Sequence, residues 1–205
     1  MDDFYYTIAE EAECEIKIKA SRFIGRTCKV SSIEEIETQL KAIRKLEYTA
    51  NHNCYAYIIG VGTDSLYKYS DDGEPNGTAG KPMYDVLAGY EVTNTLVIVT
   101  RYFGGTKLGT GGLVRAYGDC CKEVLEKSGK ATIFETTFFH VTLAFPLYNK
   151  LMQVMNSLGA TQVDATFSDT VEITIEIRNS LAEKLQSEII ELSGGKAVIE
   201  NIKTD

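Results

Sequence analysis

The sequence predicts an α+β protein with two domains, residues 1–131 and 136–205. Three observations carry that expectation. Strand-type alternation and helix-type apolar spacing are interleaved along the whole chain. The segment 136–205 reads strand, helix, strand, strand, helix, strand, the ferredoxin-like βαββαβ order. Composition, at 44% hydrophobic and 24% charged over 205 residues, suits a soluble protein of one large or two small domains.

Residues 4–30 read as two strands. Cys14–Lys19 alternates, Ser21 and Arg22 interrupt, and Phe23–Val30 resumes. Ser31 and Ser32 then offer a helix N-cap, with Glu34 and Glu35 suited to the first turn. Ile33, Ile36, Leu40, Ile43 and Leu46 supply the apolar face. Cys54–Ile59 is a strand, and Val61–Tyr69 a turn followed by another. Ser70–Gly77 is turn chemistry throughout. A helix opens at Thr78 or Gly80, where Pro82 is tolerated in the first turn; Met83, Val86 and Leu87 face a core and Gly89 ends it. Asn94–Arg101 is a buried strand, Tyr102–Gly112 a glycine-rich loop, and Leu113–Lys127 a helix. The joint falls at Gly129–Glu135.

The second domain follows the same logic. Thr136–Ala144 alternates. Leu147, Leu151, Val154, Met155 and Leu158 share a helix face that Gly159 closes. Ala160–Phe167 is a strand and Ser168-Asp169 a turn. Thr170–Ile177 places Val171, Ile173, Ile175 and Ile177 on one side. Leu181–Leu192 is a helix closed by Gly194 and Gly195, and Lys196–Ile202 is the last strand.

The net charge of −8 limits any nucleic-acid surface to a local basic patch. Five cysteines without metal-type spacing, and an acidic start (Asp2, Asp3) with no apolar leader, predict reduced thiols, no secretory signal and a cytoplasmic protein. No apolar run approaches the ~18 residues of a membrane span. Neither a metal site nor a cofactor is expected.

The chemistry concentrates in 67–121, which holds most of the glycines and two of the three prolines. Gly104, Gly105, Lys107, Gly109, Gly111 and Gly112 lie between a strand and a helix, where backbone N–H groups can cradle a phosphate. Arg101, Lys107 and Arg115 add charge, and Tyr102 and Phe103 are placed to stack on bases. The run is neither a P-loop nor a dinucleotide fingerprint; a tight packing loop would use the same glycines. Asp71, Asp72 and Glu74 form an acidic turn that suits magnesium, a solvated turn, or an ion pair with Arg101 or Lys81. His52 and Cys54 share one face of a strand, as a base and nucleophile or as partly buried neighbours of the cleft.

Three stretches together, HNCYAY, SDDGEPNGTAGKPM and VTRYFGGTKLGTGGLVRAYG, closely resemble the IMPACT/YigZ family. The resemblance covers residues 1–130 through these motifs, and the C-terminal βαββαβ is similar to the extra domain of the bacterial YigZ branch. It implies an N-terminal domain like the second domain of ribosomal protein S-five and a C-terminal domain similar to the last domain of elongation factor G, a pair that contacts the ribosome in that factor. It further implies translational regulation, since eukaryotic IMPACT proteins interfere, through a partner protein, with activation of a kinase of initiation factor two alpha. No enzymatic activity is implied for the bacterial branch. Carried onto this sequence, the motif positions are Asp71, Asp72, Gly73, Glu74, Arg101, Gly104, Gly105, Gly109, Gly111, Gly112 and Arg115. The expected function is therefore RNA or ribosome binding in regulation of translation. The alternatives are an enzyme acting on a phosphorylated small molecule, or a module for a protein partner; a membrane partner is not expected.

Overall fold

The computed structural model describes residues 3–202. The chain divides into two compact units, Tyr5–Ile133, and Phe134 onward together with Asp3 and Phe4.

The first unit is built from β1 (Phe4–Ile8), β2 (Glu13–Ile18), β3 (Ser21–Lys29), α1 (Ile33–Leu46), β4 (His52–Ile59), β5 (Leu66–Ser70), α2 (Gly80–Gly89), β6 (Thr95–Tyr102), α3 (Thr110–Ser128) and β7 (Lys130–Phe134). Five strands pair antiparallel in the order β2-β3-β6-β4-β5. β6 is central and buried without a break from Thr95 to Arg101, as a strand covered on both faces must be. Strand alternation sends Val97 and Val99 toward α2 and α3, where they pack with Met83, Leu87, Tyr117 and Cys120. Leu96 and Ile98 point the other way, to Ile36, Leu40 and Ile43 of α1. α1 starts where capping chemistry predicts. Ser32 Oγ accepts from the Glu35 N–H at 3.2 Å, and Glu35 accepts in return from the Ser31 N–H at 2.7 Å. Ile33 and Leu46, at the ends of the predicted apolar stripe, are exposed.

Three boundaries differ from the sequence reading, each for a local reason. Residues 4–30 hold three strands. The β2–β3 turn sits at Lys19-Ala20, with Lys19 at φ 52°, so Ser21 and Arg22 belong to β3. α3 begins at Thr110, three residues before Leu113, because the Leu113 N–H already bonds the Gly109 carbonyl. Gly111 and Gly112 therefore form its first turn. The predicted joint contains a strand, β7, which pairs with β1.

The second unit contains β8 (Thr136–Ala144), α4 (Tyr148–Leu158), β9 (Thr161–Phe167), β10 (Thr170–Arg178), α5 (Ala182–Ser193) and β11 (Val198–Ile202). Its sheet runs β11-β8-β10-β9, all antiparallel, which is the ferredoxin-like arrangement expected. Phe139, Val141 and Leu143 with Val171, Ile173, Ile175 and Ile177 face Leu151, Met155, Leu185 and Ile189 of the two helices. Each such buried side chain contributes roughly 1.5–3 kcal/mol. Gly159 and Gly194 close α4 and α5 in the left-handed conformation.

Candidate anion-binding cleft

The cleft is assembled from three places in the first unit. Register sets His52, at the start of β4, across from Arg101 near the end of β6, and Phe23 of β3 flanks Arg101 on its other side. The turn after β5 then brings in Glu74. That turn is held by its own acids. Asp71 Oδ1 accepts from the N–H groups of Ala79 and Gly80, and Oδ2 from that of Gly77, all at 2.9 Å. Asp71 thereby satisfies donors at the start of α2, which has no other side-chain cap. Asp72 Oδ2 accepts from the Asn53 N–H at 2.7 Å, and Arg44 lies 3.5 Å from Oδ1. Both carboxylates are occupied by protein donors. Glycine is required at Gly80, where an added Cβ would come within 2.7 Å of Ser70 backbone.

Glu74 differs, since its side chain is 3% exposed and points inward. Its Oε1 accepts from Arg101 Nη1 at 2.6 Å and from the Tyr117 hydroxyl at 2.8 Å. Arg101 Nη2 donates to Ser21 Oγ at 3.3 Å, and the guanidinium lies over the rings of Phe23 and Phe103. His52 Nε2 stands 3.9 Å from the same Glu74 oxygen. His52 Nδ1 is 2.8 Å from the Asp72 carbonyl, which only accepts, so Nδ1 carries a proton and Nε2 is the ring nitrogen turned toward Glu74. Burial first, then the neighbouring Cys54 and Glu74, pushes the Tyr117 phenol far up, so it remains a donor.

Above this floor opens a cavity of about 410 Å³. Asn51, His52, Glu74, Arg101, Phe103, Lys107, Leu108 and the start of α3 line it. α3 has Gly109 at its N-cap (φ 76°) and no side-chain cap, and Gly109, Thr110 and Leu113 line the opening, which puts the positive end of the helix dipole at the cleft. Lys107 is exposed and Phe103 is 43% exposed. Gly104 fixes the loop, because a Cβ there would fall 1.8 Å from the Ala20 carbonyl oxygen.

Of the residues singled out in the sequence, His52, Glu74, Arg101, Phe103, Lys107 and Gly109 meet at this cleft. Arg101 does so as the buried partner of Glu74, not as a free cation. Tyr102, one residue on in β6, faces the opposite side of the sheet; its hydroxyl donates to Glu47 and Arg22 lies over its ring. Arg115 is exposed on α3 and does not line the cavity. Lys81 pairs with Asp85. Cys54 is fully buried beneath the acidic turn, donating to the Asp71 carbonyl at 3.0 Å, and burial pushes its thiol far above the range of a nucleophile. Sequence reasoning passed over Asn51, Ser21, Leu108 and the hydroxyl of Tyr117. Asn51 carried a signal, since it precedes the strand that holds His52; its Oδ1 accepts from the Phe103 N–H at 2.8 Å. Among the described residues, no group of three or more His, Cys, Asp or Glu is placed to hold a metal ion, and no helix is long and apolar enough to cross a membrane.

The Impact N-terminal domain matches residues 19–125, a span that contains every element of the cleft. The chain belongs to the IMPACT family. A domain of unknown function (DUF1949) matches 141–196, within the second unit. IMPACT family member YvyE of Bacillus subtilis is 37% identical over 95% of this chain and 89% of its own length. IMPACT family member YigZ of Escherichia coli is 41% identical over 59% and 57% respectively. A crystal structure of a hypothetical protein superposes with TM-score 0.69 at 26% identity, covering all of both chains. Eukaryotic IMPACT proteins match a shorter part: the homolog of Dictyostelium discoideum is 35% identical over 44% of this chain and 27% of its own.

Proposed function

We propose that this IMPACT-family protein binds single-stranded RNA, free or displayed on the ribosome, through the cleft at the start of α3, and that it acts in regulation of translation in the cytoplasm. One observation carries the reading: an uncapped 19-residue helix, Lys107 and the half-exposed ring of Phe103 meet at one opening. Phosphate is attracted to the helix N-terminus and Lys107, and a base stacks on Phe103. Arg101 stays with Glu74 and supports the floor. Membership of the family, and the translational role that the resemblance implies, support the setting.

The test is sedimentation with ribosomes, and fluorescence anisotropy with a labelled oligouridylate, across a salt series. Single-strand binding weakens with a slope of about −0.7 per phosphate neutralised, so Lys107→Ala lowers that slope by about 0.7. Loss of one stacked base in Phe103→Ala costs ~1–3 kcal/mol. Absence of binding to ribosomes and to oligonucleotides at the lowest salt refutes the proposal.

A further inference from the structure

Glu74 uses only half of its carboxylate. Oε1 takes the bonds from Arg101 and Tyr117, while Oε2 takes none from the described residues. The side chain is 97% withdrawn from solvent, being 3% exposed. Among the described residues, the one sealed side-chain polar atom without a partner is Arg101 Nε. Glu74 Oε2 is therefore not sealed; its opening is the cleft that Glu74 lines. The carboxylate is paired with the guanidinium of Arg101 through Oε1, and Oε2 faces the cleft as an acceptor. A ligand in the cleft must bring a donor to it.

The rest of the lining dictates which donor. The start of α3 and Lys107 attract a phosphate, and a carboxylate repels one. The group at Glu74 must therefore be a neutral donor on the same ligand, close to its phosphate. In a nucleic acid the sugar 2′-hydroxyl meets that description, standing on the carbon next to the one that bears the 3′-phosphate, and DNA has none. We infer that Glu74 accepts a hydrogen bond from a ribose 2′-hydroxyl, and that the cleft thereby selects RNA over DNA. This rests on the RNA-binding reading above and names the chemistry of that selection. A deoxyribose strand leaves Oε2 covered and unpaired.

The experiment compares three labelled decamers by fluorescence anisotropy at one low salt concentration: oligouridylate, its 2′-deoxy form with the same uracil bases, and its 2′-fluoro form. Fluorine keeps an RNA-like sugar but cannot donate. The ribose decamer is expected to bind at least about tenfold tighter than both others, the size of a hydrogen bond to a charged group. In Glu74→Gln, checked for folding by circular dichroism, that ratio falls toward one. Equal binding of ribose and deoxyribose forms overturns the inference and leaves RNA binding standing. Equal binding of ribose and fluoro forms also overturns it, because sugar shape and not donation is then being read. An unchanged ratio in folded Glu74→Gln does the same. If that variant does not fold, the sugar series alone decides. Failure of all three decamers to bind overturns the RNA-binding reading, and the inference with it.

Discussion

Replacing Glu74 with Ala tests the floor of the cleft. Arg101, 5% exposed, would lose its counter-ion, and its Nε already has no partner among the described residues. Removing one member of a buried ion pair costs about 3–5 kcal/mol. The Tyr117 hydroxyl also loses its acceptor, but the three groups form one network, so its loss does not simply add. At about 2–4 °C per kcal/mol for a chain of this length, melting should fall by roughly 6–20 °C. The assay is thermal melting followed by near-ultraviolet circular dichroism. Of the 12 tyrosines only Tyr148 lies beyond Ile133, and there is no tryptophan, so the signal reports the first unit. The double change Glu74→Leu with Arg101→Met should recover most of the loss, because a buried pair can be exchanged for apolar groups at little cost. A single variant melting within about 2 °C of the parent, or a double variant no better than the single one, would show that the pair does not hold this site together.

Further expectations concern the glycine loop, the thiols and one partly buried acid. Gly104→Ala drives a Cβ into the Ala20 carbonyl and should destabilise by at least ~2 kcal/mol, while Gly111→Ala, with open space around it, should gain about 0.5–1 kcal/mol; urea denaturation separates them, and equal effects would refute the close approach. The Cys120 thiol holds Cys14 below the usual thiol range against the effect of burial, whereas burial pushes Cys28 up to about 11 and raises Cys121 further. Iodoacetamide at mildly alkaline pH should therefore label Cys14 first, and peptide mass spectrometry showing Cys28 first would contradict this. Burial acts to raise Glu47, but bonds from the Tyr102 hydroxyl and Arg26 outweigh it and hold its carboxyl below the ordinary 4.5. A folded value below the unfolded one stabilises above pH 4.5 and is lost as pH falls through the folded value. The stability advantage of the parent over Glu47→Gln should be steady near neutrality and close in acid; a gap that widens in acid would refute the assignment.

The fold was legible because periodicity was strong where burial was strong. Val171, Ile173, Ile175 and Ile177 alternate in sequence and all lie in the second core. β1 was missed because Phe4–Ile8 has no polar alternation and its partner, β7, is more than a hundred residues away. The cleft was partly legible. Glycines marked a loop whose shape forbids a side chain at Gly104, and a Glu74–Arg101 pair stood among the alternatives. The burial of that pair was not legible, since an arginine's exposure depends on a carboxylate 27 positions away. Tyr102 and Phe103 read as a stacking pair beside Arg101, yet adjacent residues of a strand face opposite ways, and β6 extends to Tyr102, which turns it away from Arg101.

The pairing of β1 with β7 bears on how this protein is made. β1 is synthesised well before its partner strand at 130–134, and the Ala9 N–H before the Gly129 carbonyl that it bonds. At roughly 5–20 residues per second that delay is on the order of ten seconds. Through that time Ile8, fully buried in the finished core, lacks the β7 pairing, although the neighbouring Tyr6 carbonyl can already accept from the Thr93 N–H. The five strands of the larger sheet are all synthesised within the interval. A nascent chain halted shortly after Tyr102 would carry a complete sheet but neither α3 nor the strand that secures its own beginning.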